Sequence, residues 1–198
     1  MQKMLEQISL AGMDNVPTYT DRLFFAIFPD PAVAKRVASL ALQQRFGHGL
    51  RGRPLDISRF HVTLHHIGDY EGPPPSDIVD KACAAAASIA ALPFDVGFDR
   101  VMSFDRKARA NPFVLRADAN VAAVMAFQKA VVAAVNRAPF GRPAERSFTP
   151  HMTLLYDELS VPPQTVETIH WTVRELVLVH SLLGKTVHKH LGCWPLLG

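Results

Sequence analysis

Two phrases of the chain carry residue types suited to acid–base chemistry: His61-Val62-Thr63-Leu64 and His151-Met152-Thr153-Leu154, 90 positions apart. With nine histidines and nine threonines among 198 residues, chance supplies roughly 0.1 phrase of the form His, apolar, Thr, apolar, so two are a signal. An unperturbed imidazole titrates at about 6.5, which lets one neutral ring take a proton from water while one charged ring gives a proton to a leaving oxygen. Threonine hydroxyls beside them can hydrogen-bond the non-bridging oxygens of a phosphate and steady the charge that grows there. The implied reaction is attack on phosphorus with no metal and no cofactor. Either phrase alone is better explained by a half-buried strand of an ordinary sheet; the matched pair is what favours chemistry.

Side chains alternate between the faces of a strand, so His61 and Thr63 share one face and Val62 and Leu64 the other; His151 and Thr153 are arranged alike. The elements around the phrases repeat. "RLFFAIFP" has the length of a strand and ends at proline, and "DPAVAKRVASLALQQRF" follows as a helix with Asp30 as N-cap and Pro31 at its first position. "FHVTLHHIG" reads as a strand ended by Gly68. A helix over "DIVDKACAAAASIAAL" and a strand over "FDVGFDRVMSF" come next. Then "NPFVLRAD", a helix over "NVAAVMAFQKAVVAAVNR" with Asn120 as cap, and "SFTPHMTLLYD" give strand, helix and His-strand a second time. "TVRELVLVHSLL" and "TVHKHLGCWPL" follow as two strands around a hairpin at Gly184-Lys185. Residues 1–20, with a short helix at 2–10, are expected to be an extension, and 21–198 a single domain.

Composition narrows the class. A 48% hydrophobic content suffices for a core, and the formal charge of +3 favours an anionic partner only weakly. Fourteen of the 21 basic residues are arginine, several in loops at "RGRPLDISR", "DRKARANP" and "NRAPFGRPAER"; arginine's planar fork matches phosphate oxygens. No apolar run is long enough to span a membrane and the start does not read as a signal peptide, so the expected location is cytoplasmic. Cys83 and Cys193 form no Cys-x-x-Cys pair and are expected as free thiols.

On its paired His-x-Thr phrases, its "RLFFAIFP" opening, the "SFTPH" lead-in and their spacing, residues 22–195 resemble the 2H phosphoesterase superfamily. Within it, the chain looks like the bacterial 2′-5′ RNA ligase, or RNA 2′,3′-cyclic phosphodiesterase, family. The resemblance implies an α+β, bilobal, pseudo-symmetric fold with two antiparallel sheets around a central cleft and flanking helices. It also implies metal-independent hydrolysis of 2′,3′-cyclic phosphate ends of RNA or nucleotides to 2′-phosphates, with 2′-5′ ligation as a related activity. His61 and Thr63 match the family's first motif, His151 and Thr153 its second; His61 takes the role of general acid and His151 that of general base. Partners are then RNA ends or small nucleotide cyclic phosphates, with no membrane and no obligate protein partner. The chain departs from the family after each motif. His65 shares the face of His61 by parity and is expected to touch substrate, His66 faces away, and Tyr156 stands where it can stack on a base.

Competing readings have less support. His61 and His65 are spaced like zinc ligands of a helical motif, but Val62 replaces the Glu that motif needs, and the segment is β-like. His188 and His190 alternate on a strand and read as surface or core-edge residues. No phosphate-binding glycine loop or nucleophile elbow is present. A noncatalytic RNA- or nucleotide-binding module remains an alternative, as does a phosphodiesterase for another cyclic nucleotide phosphate, such as an ADP-ribose derivative.

Overall fold

The computed structural model describes residues 18–105, 110–118, 121–137, 140 and 147–197. The helix expected at 2–10, the Asn120 cap and the arginines at 106, 109, 142 and 146 lie outside the described residues. Eight strands and three α-helices follow one another as β1 (Asp21–Ile27), α1 (Pro31–Gly47), β2 (Val62–Tyr70), α2 (Ser76–Ala87), β3 (Phe94–Ser103), β4 (Asn111–Arg116), α3 (Ala122–Arg137), β5 (His151–Asp157), β6 (Gln164–Val173), β7 (Glu175–Leu182) and β8 (Val187–Pro195). They form two four-stranded antiparallel sheets, sheet A in the order β2-β1-β7-β8 and sheet B in the order β5-β4-β3-β6. The expected α+β class with two antiparallel sheets is what the chain forms.

The sheets are built alike. In each, a strand carrying a histidine phrase lies at the edge and pairs with the strand that opens its strand-helix-strand unit, β2 with β1 and β5 with β4. One apolar core takes in the helix-facing residues of both sheets, including Phe25 and Ile67 from one and Phe113 and Leu155 from the other. The near-continuous apolar run of β1 follows from burial on both faces: Leu23, Phe25 and Ile27 enter the large core, while Phe24 and Ala26 pack with Val177 and Val179 into a smaller cluster on the opposite face.

Local signals place the helices. Asp30 caps α1 by accepting from the amides of Ala32 and Val33, each at 2.9 Å, and Pro31 occupies the first turn as the sequence predicts. α2 stops at Ala87, five residues short of the expected apolar end at Leu92, because Ser88 turns back and its hydroxyl donates to Ala85 O at 2.7 Å. β2 runs two residues past Gly68.

The main correction to the element order is β6. Its sequence, "QTVETIHWTV", is polar at six of its ten positions and follows two prolines, and nothing in it announced a strand. The segment expected as one strand from Thr172 is divided at Arg174, where the chain leaves one sheet and enters the other.

Candidate active site

His61 stands immediately before β2 and His151 opens β5, so each imidazole projects from the mouth of an edge strand. The two rings are anchored identically. His61 Nδ1 donates to the carbonyl of Arg59 at 2.7 Å, and His151 Nδ1 donates to the carbonyl of Thr149 at 2.7 Å. Each bond reaches back two residues and fixes the neutral tautomer with its lone pair on Nε2. Aromatic rings back both: Phe24 stacks on His61 with centroids 5.0 Å apart, and Phe104 meets His151 edge-on at 4.8 Å.

The register has a feature that simple alternation misses. Ala26 pairs with Thr63 and Phe25 with His65, which leaves Leu64 as an extra residue in β2; Val114 pairs with Thr153 and Phe113 with Leu155, which leaves Leu154 extra in β5. The last residue of each phrase is therefore a β-bulge, at the same place in both sheets. A bulge inverts the alternation beyond it. Directly opposed residues share a face, so Thr63 lies with Ala26 on the cleft side, whereas His65 lies with Phe25 on the helix side, 5% exposed. His66 pairs with Phe24 and takes the cleft side, where its Nε2 meets Asp69 at 3.1 Å. The expectation that His65 shares the face of His61 is thus corrected: His66 lies on that face and His65 on the other. Tyr156, paired with Pro112 beyond the second bulge, comes round to the side of Thr153 and is 51% exposed.

Contacts between the edges hold the two half-sites together. β2 and β5 approach one another, and the segment leading into His61 docks on β5. The amide of Leu55 donates to the carbonyl of bulged Leu154 at 2.8 Å, and the Asp157 carboxylate accepts from the amides of Arg51 and Gly52 at 2.6 Å each. Gly52 is needed for that approach, since a Cβ there would lie 2.0 Å from the Tyr156 carbonyl oxygen.

The electrostatics of the halves differ. Burial pushes His61 down to about 4, and the charges of Arg59, His151 and His190 act in the same direction, outweighing the bond to Arg59 O. Arg59 faces the same ring and has its Nε buried without a hydrogen-bond partner among the described residues. In sheet B, Arg116 pairs across from His151, at the place Phe28 holds beside Ile27 in sheet A, and Asp118 binds both Arg116 and Arg100.

Sequence reasoning passed over one group. His188 of β8 lies 5.1 Å from His61, ring to ring and nearly perpendicular, and His190 lies 4.7 Å from Phe28. Their alternation was readable, but which sheet β8 joins was not. Three histidines converge there, yet among the described residues no three of His, Cys, Asp or Glu are disposed to hold a metal ion. Also among the described residues, no helix is long and apolar enough to cross a membrane.

Two facing sheets, each giving a histidine and a threonine from the mouth of an edge strand, define a bilobal α+β protein with a paired-histidine cleft. A family model described as the 2′-5′ RNA ligase superfamily matches residues 29–185, which include both phrases, and the chain belongs to that superfamily of 2H phosphoesterases. Its coarse function is accordingly that of an enzyme of phosphoesterase or ligase type. The fold is similar to that of TT0787 from Thermus thermophilus, with a TM-score of 0.68 at 21% identity over 88% of this chain and 97% of that one. It is similar also to E. coli LigT complexed with 3′-AMP (TM-score 0.67, 21% identity, 90% and 99% of the two chains) and to LigT complexed with phosphate (0.67, 20%, 91% and 100%). At these identities the likeness is one of fold. A search of curated proteins finds no match.

Proposed function

We propose that the protein hydrolyses 2′,3′-cyclic phosphates at RNA or nucleotide ends to 2′-phosphates, without a metal ion, and that His61, Thr63, His151 and Thr153 carry the reaction. The observation behind this reading is the equivalence of the half-sites: same bulge and same Nδ1 anchor. A phosphate between them meets one imidazole on each side. His151 takes a proton from water as the oxygen attacks phosphorus; the bond from phosphorus to the 3′ oxygen breaks, and His61 gives that oxygen a proton. Thr63 and Thr153 donate to the non-bridging oxygens, and Arg59 supplies the positive charge that offsets the dianionic transition state. Tyr156 extends from the same face to meet the nucleotide. LigT, of the same fold, has been crystallised with phosphate and with 3′-AMP, which supports an anion and nucleotide site in this cleft.

The converse division of labour has one observation in its favour. A ring held at about 4 is uncharged at neutral pH, which suits His61 as base with His151 as acid; a bound phosphate must raise His61 for it to serve as acid.

The test incubates the protein with EDTA and an oligonucleotide ending in a 2′,3′-cyclic phosphate. Turnover to a 2′-phosphate end is expected. Turnover only after metal is added, or binding with no product, would refute the reading and in the second case favour a nucleotide-binding module.

A further inference from the structure

We infer that His188, on β8, is a positioning residue for His61: with Phe24 it clamps the His61 ring and keeps water from its sides. The inference rests on the reading of His61 as a reacting group and adds a residue that lies outside both phrases.

The geometry carries it. β2 and β8 are the two outer strands of sheet A, and in a flat sheet of four strands they would be about 14 Å apart. The His61 and His188 rings are 5.1 Å apart, so the two side chains lean toward one another over the cleft face of the sheet. Phe24, on the strand between, lies under both rings, stacked on His61 at 5.0 Å and edge-on to His188 at 5.8 Å. It is only 4% exposed and rests on Ala26, Val177 and Val179. His61 therefore has an aromatic ring beneath it and a second ring upright at its side. Its Nδ1 bond to Arg59 removes the remaining freedom of rotation.

Among the described residues no hydrogen bond or ion pair of His188 explains its place. Its Nδ1 is buried without a hydrogen-bond partner among the described residues. What it brings is the shape of a ring and the exclusion of water. The consequence is visible on both rings: burial is the leading cause that pushes His61 down to about 4 and His188 to about 3. Among the described residues, the charged or titratable groups beside His61 are Arg59 from the segment before β2, His151 from β5, and His188 and His190 from β8, while Phe24 of β1 and Phe28 just after that strand meet it with aromatic rings.

The experiment follows the ring resonances of His61 by NMR across pH in the parent, His188→Ala and His188→Phe. Alanine opens the side of the ring to water, so the His61 midpoint is expected to rise by about one to two pH units. Phenylalanine restores the wall and should return the midpoint to within about half a unit of the parent. On a cyclic phosphate substrate, alanine should lower kcat about tenfold with KM little changed, because the ring is misaligned while the phosphate contacts stay, and phenylalanine should recover most of that loss. A His61 midpoint unmoved by alanine, or moved equally by both substitutions, would overturn the inference. The titration needs no turnover, so an absence of phosphodiesterase activity bears on the proposed function alone.

Discussion

At the scale of single residues, the site asks different things of its four motif side chains. In the proposed reaction the histidines move protons, so His61→Ala and His151→Ala should each lower turnover by roughly 10²- to 10⁴-fold, measured at saturating cyclic phosphate with folding checked by circular dichroism. The residual activity of His61→Ala separates the two divisions of labour. It rises with pH through the titration of His151 if His151 is the base, and falls if His151 is the acid. Each threonine gives one hydrogen bond to an oxyanion and keeps a β-branched shape, so Thr63→Val and Thr153→Val should cost less, about 10-fold in kcat/KM each. The two phrases stood out in the sequence because a matched pair carries information that one phrase does not. His65 and His66 were assigned to the wrong faces, since the reversal depends on Leu64 being skipped in the pairing with β1 and no residue type marks that skip.

At the scale of elements, the coupling between half-sites runs through backbone. The Asp157 carboxylate, 5% exposed, accepts the amides of Arg51, Gly52 and Leu159, and those bonds hold its pKa below the usual carboxylate range against the cost of burial. Asp157→Ala should destabilise the fold by about 2–4 kcal/mol in urea unfolding, because buried amides lose a charged acceptor. It should also raise KM, as the segment carrying Arg59 and His61 loses its attachment to β5. Strand-helix-strand units were legible through caps and periodicity. β6 was not, because its side chains alternate toward solvent and its strand character comes from pairing with β3, a partner supplied by the rest of the fold. His188 belongs with this case: only the pairing of β7 with β1, over 150 residues apart in sequence, brings β8 to the cleft.

For the whole molecule, two half-buried histidines couple stability to pH. His61 and His188 are held at about 4 and about 3 in the folded chain, whereas an unfolded chain binds their protons at about 6.5. The unfolded state therefore carries more protons below that value, and stability is expected to fall as pH drops from about 6.5 toward 4 and below. Asp21, Asp69 and Asp157, whose folded values lie below 3.8, add their loss only at still lower pH. A thermal melt series from pH 7.5 to 4 should show Tm decreasing across this range, and His188→Phe should flatten the decrease. A Tm independent of pH between 6.5 and 4.5 would contradict the burial of these rings.

The crossing at Arg174 also orders events in time. A ribosome that has added residue 173 has delivered all four strands of sheet B and both histidine phrases, but only β1 and β2 of sheet A. The His151 side can assemble while synthesis continues. The His61 side waits for β7 and β8, with Phe24 uncovered until Val177 and Val179 arrive. A late segment thus finishes the first half-site encoded.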